Sequence, residues 1–215
     1  MTDWVTISSL ATAGATLVLA MGTFASVRSA NRAARTAERT LLAGLRPVLV
    51  PSRLEDPPDK ITWADDHWAK LSGGRASIEL VHGNIYLAMS LRNVGAGIAV
   101  LQGWHPTPEY QPGQPHTEPD RFRRQTRDLY VPAGGVGFWQ GAVRDGDDEF
   151  RAGVVAAILE RRRFAIELLY TDHEGGQRTV SLFSVTPRDA SDDPDQWLCT
   201  VARHWNLDRP DPRRL

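Results

Sequence analysis

Residues 85–104, IYLAMSLRNVGAGIAVLQGW, set the pattern for the fold. Every second residue from Ile85 to Leu91 is a large apolar side chain, which is the period of a half-buried β-strand. The run Asn93–Gly97 follows, and its Asn and Gly residues tolerate the backbone conformations of a turn. A second strand is predicted over Ile98–Trp104. The two strands are therefore predicted to form an antiparallel pair or to be joined by a crossover between sheets.

A β-hairpin is predicted nearer the C-terminus. Apolar residues alternate with others along Arg163–Thr171, and Arg178–Thr186 returns in the opposite direction. The turn Asp172–Gly176 between them has the Asp and Gly residues that such turns need. Shorter strands are predicted at Leu45–Val50, Leu129–Val131 and Val136–Gln140.

The remaining segments between residues 45 and 207 are predicted to be helical or irregular. Asp147–Arg161 has an apolar face, with Asp147 or Asp148 as its cap. Residues 194–206 fit both a helix that starts at a proline and an alternating strand, so both remain open. Residues 52–74 are predicted as an irregular insertion, and 105–128 as a long, proline-rich loop.

The N-terminal segment predicts one long helix. Trp4–Val27 carries no charge, and Arg28–Ala43 continues it without Gly or Pro. Val5–Val27 is long enough to cross a hydrocarbon layer of about 30 Å, and its Ser and Thr hydroxyls can bond to the preceding helical turn. We predict a transmembrane helix, with a buried or self-associating soluble helix as the alternative.

The charges around this helix predict its orientation. Asp3 is the only charge before Arg28, whereas a cleaved signal peptide needs positive charge ahead of its apolar region. Arginines crowd the C-terminal side, and positive residues beside a span stay in the cytoplasm. We predict an uncleaved anchor in a bacterial inner membrane, with the N-terminus outside and the C-terminal domain cytoplasmic. The predicted lipid contacts are Trp4, Arg28, Arg32, Arg35 and Arg39.

The chain is therefore predicted to have four segments. They are an N-terminal tail and transmembrane helix (1–27), a basic helical stalk (28–44), a β-sandwich domain (45–207) and a flexible tail (208–215). Small residues four apart in the helix and an alanine-rich seam in the stalk allow close helix packing. A homo-oligomer formed through residues 11–41 is an open alternative to a monomer.

Composition excludes some functions. The net charge is −1, so the chain as a whole does not attract nucleic acid. Cys199 is the only cysteine, which excludes an internal disulfide and a metal site built from cysteines, and fits a reducing compartment. A lone Cys is usually a small core side chain rather than a nucleophile. We predict no cofactor and no metal site.

Two arginine clusters are candidate binding residues. Arg121, Arg123, Arg124 and Arg127 surround Phe122, which suggests contacts with an anion or a partner. Acidic neighbours reduce the net positive charge of this cluster, so a solvated loop is the competing interpretation. The triplet Arg161–Arg163 fits the negative C-terminal end of the predicted helix without any ligand.

Two acidic and histidine clusters offer weaker candidates for chemistry. Asp172, His173 and Glu174 suggest acid–base chemistry, although a turn alone explains them. The run Asp65–His67 lacks the distant third ligand that a metal site needs. The chain also lacks the Gly-x-Ser-x-Gly, His-Glu-x-x-His, phosphate-loop and dinucleotide motifs.

The segment Leu91–Ala99, LRNVGAGIA, lies between two predicted strands and follows a predicted span, a basic helix and an Arg-Pro strand. This layout resembles bacterial single-span membrane proteins that carry an immunoglobulin-like β-sandwich domain. The resemblance implies that fold and brings no activity with it. The predicted fold class is mainly β: an antiparallel immunoglobulin-like β-sandwich with one or two short helices, preceded by the long transmembrane and stalk helix.

The function predicted from these features is a membrane-anchored, non-enzymatic binding module. It would act through a protein partner or by self-association at the inner membrane face. One alternative is a nucleic-acid- or nucleotide-sensing module that uses Arg121–Arg127 or Arg161–Arg163, although nucleic acid is disfavoured as a partner. A second alternative is a hydrolase that uses Asp172, His173 and Glu174.

The predicted orientation is testable with reporter fusions. A reporter that is active only in the cytoplasm is expected to be active when fused after Leu215, because the arginines hold the C-terminal side of the helix inside. A periplasmic reporter fused at the same position serves as the matched control and should be inactive. Activity of the periplasmic reporter alone would reverse the predicted orientation.

Overall fold

The computed structural model describes residues 4–144, 146, 148–188 and 195–211, with side chains described throughout except at 5, 6, 39, 42 and 43. The chain divides into two units, Met1–Gly44 and Leu45–Leu215. The predicted cap Asp147 and the predicted helix start at Pro194 lie outside the described residues.

Helix α1, Trp4–Gly44, is one unbroken α-helix, as predicted. Thr12, Thr16 and Thr23 each donate a hydroxyl hydrogen bond of 2.8–2.9 Å to the carbonyl four residues earlier, which satisfies these polar groups within the helix. One helix in the described part of the chain is long and apolar enough to cross a membrane, with Ile7–Glu38 as its candidate span. A membrane anchor and a signal sequence share these properties.

The second unit is mainly β. Its helical segments are α2, Arg151–Leu159, and a short 3-10 turn, Pro119–Arg121. Its strands are β1 Leu49–Pro51, β2 Asp59–Thr62, β3 Trp68–Leu71, β4 Arg75–Val81, β5 Asn84–Asn93, β6 Ala99–Thr107, β7 Arg123–Val131, β8 Val136–Val143, β9 Phe164–Thr171, β10 Thr179–Pro187 and β11 Gln196–Asn206.

Nine of these strands form one antiparallel sheet. The order is β1-β5-β4-β11-β10-β9-β6-β7, and β8 pairs with β5 along its other edge. The strands β5 and β6 are separated by four others, so the direct antiparallel pair is wrong. The segment Asn93–Gly97 does begin a crossover, but the crossover stays within one sheet and does not connect two sheets. The hairpin of β9 and β10 is confirmed.

The sheet curves into a half-barrel around one apolar core. Trp104 of β6 contacts Trp139 of β8, with ring centroids 5.3 Å apart, although these strands lie far apart in the sheet order. Helix α2 adds the buried side chains of Val154 and Ala157 to the same core. Burial of these side chains drives the curvature, because it removes apolar surface from water. The antiparallel β fold is confirmed, whereas the immunoglobulin-like pairing of two sheets is not.

Asn93 joins four backbone groups at one end of the core. The side chain is fully buried, and its Oδ1 accepts hydrogen bonds from the N–H groups of Val48 (3.1 Å) and Gly95 (3.0 Å). Its Nδ2 donates to the carbonyls of Gly97 (2.6 Å) and Val131 (3.1 Å). One amide therefore holds the segment before β1, the crossover and the end of β7.

The two glycines of this motif are required for close approach rather than for an unusual turn. A Cβ at Gly95 would lie 2.2 Å from the Arg46 carbonyl oxygen, and one at Gly97 would lie 1.8 Å from that of Leu45. Neither glycine has a positive φ. The predicted reason for these glycines, tolerance of turn conformations, is therefore wrong for Gly95 and Gly97, and the physical reason is close backbone packing.

Two segments cover the outer face of the sheet. Residues 52–74, predicted as irregular, contain the hairpin of β2 and β3, which packs on β4 and β5 through a second apolar cluster. A third cluster joins Tyr110 and Phe122 to outward-facing residues of β9, β10 and β11. Strand β9 is consequently buried on both faces.

Two further segments differ from the predictions, and one open choice is resolved. Arg123–Asp128, predicted as loop, belongs to β7, because pairing with β6 overrides its weak apolar pattern. Helix α2 is shorter than Asp147–Arg161, and its N-cap residue is Phe150 without a side-chain cap, so the prediction of Asp148 as cap is wrong. Asp148 instead accepts the Phe150 N–H at 3.0 Å, just before the helix. The open choice for 194–206 resolves as strand, since β11 pairs with both β10 and β4.

Replacement of Asn93 tests its structural role. Asn93→Ala is expected to lower the free energy of unfolding by about 3 kcal/mol or more, because four buried backbone groups lose their partner. Asn84→Ala, at the other end of β5, removes one 3.3 Å bond to Tyr86 and should cost less than about 1 kcal/mol. Urea unfolding of the full chain in detergent, followed by tryptophan fluorescence, measures both. Equal losses of unfolding free energy in the two variants would contradict the structural role of Asn93.

Candidate functional site

A cleft separates β7 and β8, which are consecutive in the chain and lie at opposite ends of the sheet. In the described part of the chain, β7 pairs only with β6 and β8 pairs only with β5. The cleft between them has a volume of 830 Å³. We call it the seam cleft; its lining includes Trp63, Trp104, Arg123, Arg124, Gln125, Arg127, Gln140 and Arg144.

Four arginines give the seam cleft its charge. Arg123 forms an ion pair with Asp148, and its guanidinium lies 5.1 Å from the Trp104 ring centroid. Arg144 pairs with Asp65 at 3.0 Å. Arg124 and Arg127 are exposed, and neither forms an ion pair with any residue that the structure describes. Two of the four positive charges are therefore available to a ligand.

A bulge in β7 positions these side chains. Leu101 lies opposite Leu129, whereas Gly103 lies opposite Arg124, so residues 125–128 face Gln102 alone. A Cβ at Gly103 would lie only 2.9 Å from the Arg123 carbonyl oxygen, so glycine permits the close strand approach beside the bulge. Bulges of this kind redirect side chains at sheet edges.

Two glutamines add hydrogen-bond acceptors to the seam cleft. Gln125 Nε2 donates to the Gln140 carbonyl at 3.0 Å, and Gln140 Nε2 donates to the Thr62 carbonyl at 3.4 Å. The Oε1 atoms of both glutamines are buried and accept no hydrogen bond within the described residues. Buried acceptors without a donor are costly, so a ligand that offers N–H groups would be stabilised here once either side chain rotates its oxygen toward the cleft.

The structure divides the predicted arginine cluster. Arg123, Arg124 and Arg127 line the seam cleft, whereas Arg121 ends the 3-10 turn and lines a different pocket. Phe122 is only 8% exposed and packs into the third apolar cluster. Phe122 therefore offers no surface on which a base can stack.

The second arginine cluster has structural partners. The Arg161 guanidinium donates to the Arg188 carbonyl and lies 5.7 Å from the Trp197 ring centroid. Arg162 pairs with Glu160 at 2.5 Å. Because α2 ends at Leu159 with no basic residue in its last turn, the triplet follows the helix instead of closing it, and the predicted helix-end role is wrong.

The predicted acid–base trio does not converge on a site. Asp172 is buried, and its Oδ1 accepts the Gln177 N–H at 3.2 Å within the turn. His173 and Glu174 are exposed at the tip of the hairpin. The hydrolase alternative therefore gains no geometric support from these residues.

The run Asp65–His67 also has a structural role. Asp65 accepts hydrogen bonds from Arg144 Nε (3.0 Å) and the Tyr86 hydroxyl (2.5 Å), and these bonds lower the pKa of its carboxyl group. His67 lies 2.8 Å from Glu79 and stacks on Tyr86. Among the described residues, no group of three or more His, Cys, Asp or Glu side chains could hold a metal ion.

The predicted lipid contacts on α1 stay predictions. Trp4, Arg28, Arg32 and Arg35 are exposed on the helix. The side chain of Arg39 lies outside the described residues.

A second pocket was missed from the sequence. Glu167 of β9 lies opposite His105 of β6, and both are buried on the outer face beneath residues 108–121. Burial is the main cause that raises the pKa of Glu167 and lowers that of His105. The sequence signal that could have indicated this pocket is Glu167, a charged residue between the apolar Ala165 and Leu169 on the same strand face.

Comparisons with protein-family models, with curated proteins and with solved structures find no match for this chain. The resemblance to bacterial single-span membrane proteins therefore stays a prediction.

The buried state of Cys199 can be tested by thiol labelling. Burial raises the pKa of this thiol to about 12, and its Sγ lies 3.6 Å from Met89 Sδ. Because the thiolate is the reactive form, a thiol reagent at pH 8 should label the native chain at least a hundredfold more slowly than the urea-unfolded chain. Cys199→Ser is the blank. Equal rates would contradict the inert core assignment.

Proposed function

We propose that the chain is a membrane-anchored, non-enzymatic binding module that holds an acidic segment of a protein partner in the seam cleft. The observation that carries the proposal is a combination of groups in that cleft. Within the described residues, two exposed arginines form no ion pair and two buried amide oxygens accept no hydrogen bond.

The anchor in this proposal is α1. Its apolar side chains are exposed along the candidate span, and exposed apolar surface of this size is unfavourable in water. The arginines that follow the apolar part support retention of that side in the cytoplasm. We accordingly assign the module to a bacterial inner membrane, with the N-terminus outside.

The chemistry of the seam cleft favours a polypeptide over a simple polyanion. Carboxylates of a partner would pair with the guanidinium groups of Arg124 and Arg127. Backbone N–H groups of the same partner would donate to the Oε1 atoms of Gln125 and Gln140. An acidic polypeptide supplies both groups, whereas a phosphate backbone supplies acceptors alone.

The nucleic-acid alternative receives less support. Stacking proteins place exposed aromatic rings along a basic groove. Here Trp63, Trp104 and Phe122 are all buried, at 5%, 4% and 8% exposure. In addition, the Arg123 guanidinium lies over the Trp104 ring. The proposed partner is therefore a protein.

Two finer predictions accompany the proposal. Self-association through residues 11–41 draws support from the small residues on the exposed surface of α1. The immunoglobulin-like sandwich draws support from contacts that cross the core, such as Trp104 with Trp139. Both remain proposals about this chain.

Peptide binding to the seam cleft tests the proposed function. The full chain in detergent is titrated into a fluorescent, extended peptide rich in Glu, with anisotropy as the readout. The double variant Arg124→Gln, Arg127→Gln should weaken binding about tenfold, since it removes two charge pairs worth up to about 1 kcal/mol each.

Two controls make the result specific. The variant Arg162→Gln, Arg163→Gln removes the same charge outside the cleft and should bind as the wild type does. A single-stranded oligonucleotide of equal charge should bind more weakly than the peptide. Unchanged peptide binding by the Arg124 and Arg127 variant would overturn the proposal, and stronger oligonucleotide binding would favour the nucleic-acid alternative.

A further inference from the structure

A second, chemically different pocket lies on the outer face of the sheet. Residues 108–121 cross β6, β9 and β10 there and enclose a volume of 420 Å³. This is within the range of about 300–1,000 Å³ that small-molecule sites occupy. Its lining includes the titratable and aromatic side chains of His105, Tyr110, His116, Arg121, Glu167 and Trp205.

Glu167 is the unusual group in this pocket. Its side chain is 3% exposed, and its two carboxylate oxygens accept the Thr117 N–H at 3.1 and 3.3 Å. No Lys, Arg or His among the described residues forms an ion pair with it. A buried carboxylate needs a proton or a cation, because desolvation of an unpaired charge is costly.

No neighbouring side chain that the structure describes fully compensates the buried charge of Glu167. The His116 ring lowers the pKa of the Glu167 carboxyl group, but burial raises it by more. His105 lies opposite Glu167, and its burial lowers its pKa, which favours the neutral ring. Arg121 lines the pocket but is exposed to solvent. The Nε2 atom of His105 is also buried without a hydrogen-bond partner within the described residues.

Aromatic side chains form part of the pocket wall. Trp205 is buried, and His116 meets its ring at 5.7 Å between centroids and 67° between planes. Tyr110 packs against the same apolar cluster. Aromatic faces attract cations through their quadrupole, and they also cover the alkyl groups of an organic cation.

We propose that this pocket binds a small organic cation of the alkylammonium class. The charged nitrogen pairs with the Glu167 carboxylate, and the alkyl groups contact Tyr110 and Trp205. This assignment is independent of the seam cleft and adds a second ligand to the binding module. Free amines and the ammonium headgroups of lipids share the required chemistry.

The test uses the full chain in maltoside detergent, which carries no amine. Choline is titrated by calorimetry, in parallel with 3,3-dimethylbutanol, which has the same shape without the charge. Choline should bind saturably, and the neutral analogue should bind at least tenfold more weakly. Absence of saturable choline binding, or equal binding of the two, would overturn the proposal.

Two matched variants separate the charge of Glu167 from its packing. Glu167→Gln keeps the shape and an acceptor for the Thr117 N–H, so choline binding should fall at least tenfold while the near-ultraviolet circular dichroism stays unchanged. Glu118→Gln removes an exposed carboxylate from the rim of the same pocket and should leave binding within about twofold. Wild-type affinity in Glu167→Gln would overturn the proposal. If Glu167→Gln alters the circular dichroism, Trp205→Leu replaces it and should weaken choline binding more than binding of the neutral analogue.

A final arm distinguishes the two sources of ammonium. The same choline titration is repeated in phosphatidylglycerol nanodiscs with and without phosphatidylethanolamine. Competition by phosphatidylethanolamine would assign the pocket to a lipid headgroup, and unchanged choline binding would assign it to a free amine.

Discussion

The buried side chain of Asn93 is the constraint on which the β unit depends. The start of β1, the crossover after β5 and the end of β7 all bring unpaired backbone groups to one point of the core. Hydrogen bonds to this amide satisfy two N–H groups and two carbonyls that would otherwise be desolvated without partners. Gly95 and Gly97 allow this convergence, because any Cβ at either position would collide with the backbone near Arg46.

The ends of the sheet decide where a ligand can bind. Strand β7 ends and strand β8 begins close to Asn93. Away from this point the two strands separate, because β7 pairs with β6 and β8 pairs with β5. The seam cleft is the space between these two edges. Exposed sheet edges are usually blocked by charge, and the arginines of β7 meet that requirement while they also create a site for acidic groups.

The outer face of the sheet also carries apolar side chains that must be shielded from water, and two segments cover them. The hairpin of β2 and β3 covers β4 and β5, and residues 108–121 cover β6, β9 and β10. These coverings bury polar side chains that a two-layer β fold would normally leave in water. At the first covering, the hydroxyl of the buried Tyr86 donates to Asp65, which also accepts a hydrogen bond from Arg144, and both of these charged side chains are exposed. Glu167 beneath the second covering forms no ion pair with any residue that the structure describes. The requirement of its buried carboxylate for a cation is therefore not met by an ion pair within the fold.

The sequence by itself determined the long helix and the strands β5, β6, β9 and β10, because each has a strong local hydrophobic pattern. It also predicted Arg121, Arg123, Arg124 and Arg127 as candidate contacts, and three of these, Arg123, Arg124 and Arg127, line the seam cleft. Only the tertiary structure decided that β11 is a strand, that Arg121 lies apart from the other arginines and that Glu167 faces a covered pocket. These outcomes depend on which strands pair and on what lies over the sheet, and such contacts join residues far apart in the chain, where local periodicity carries no information.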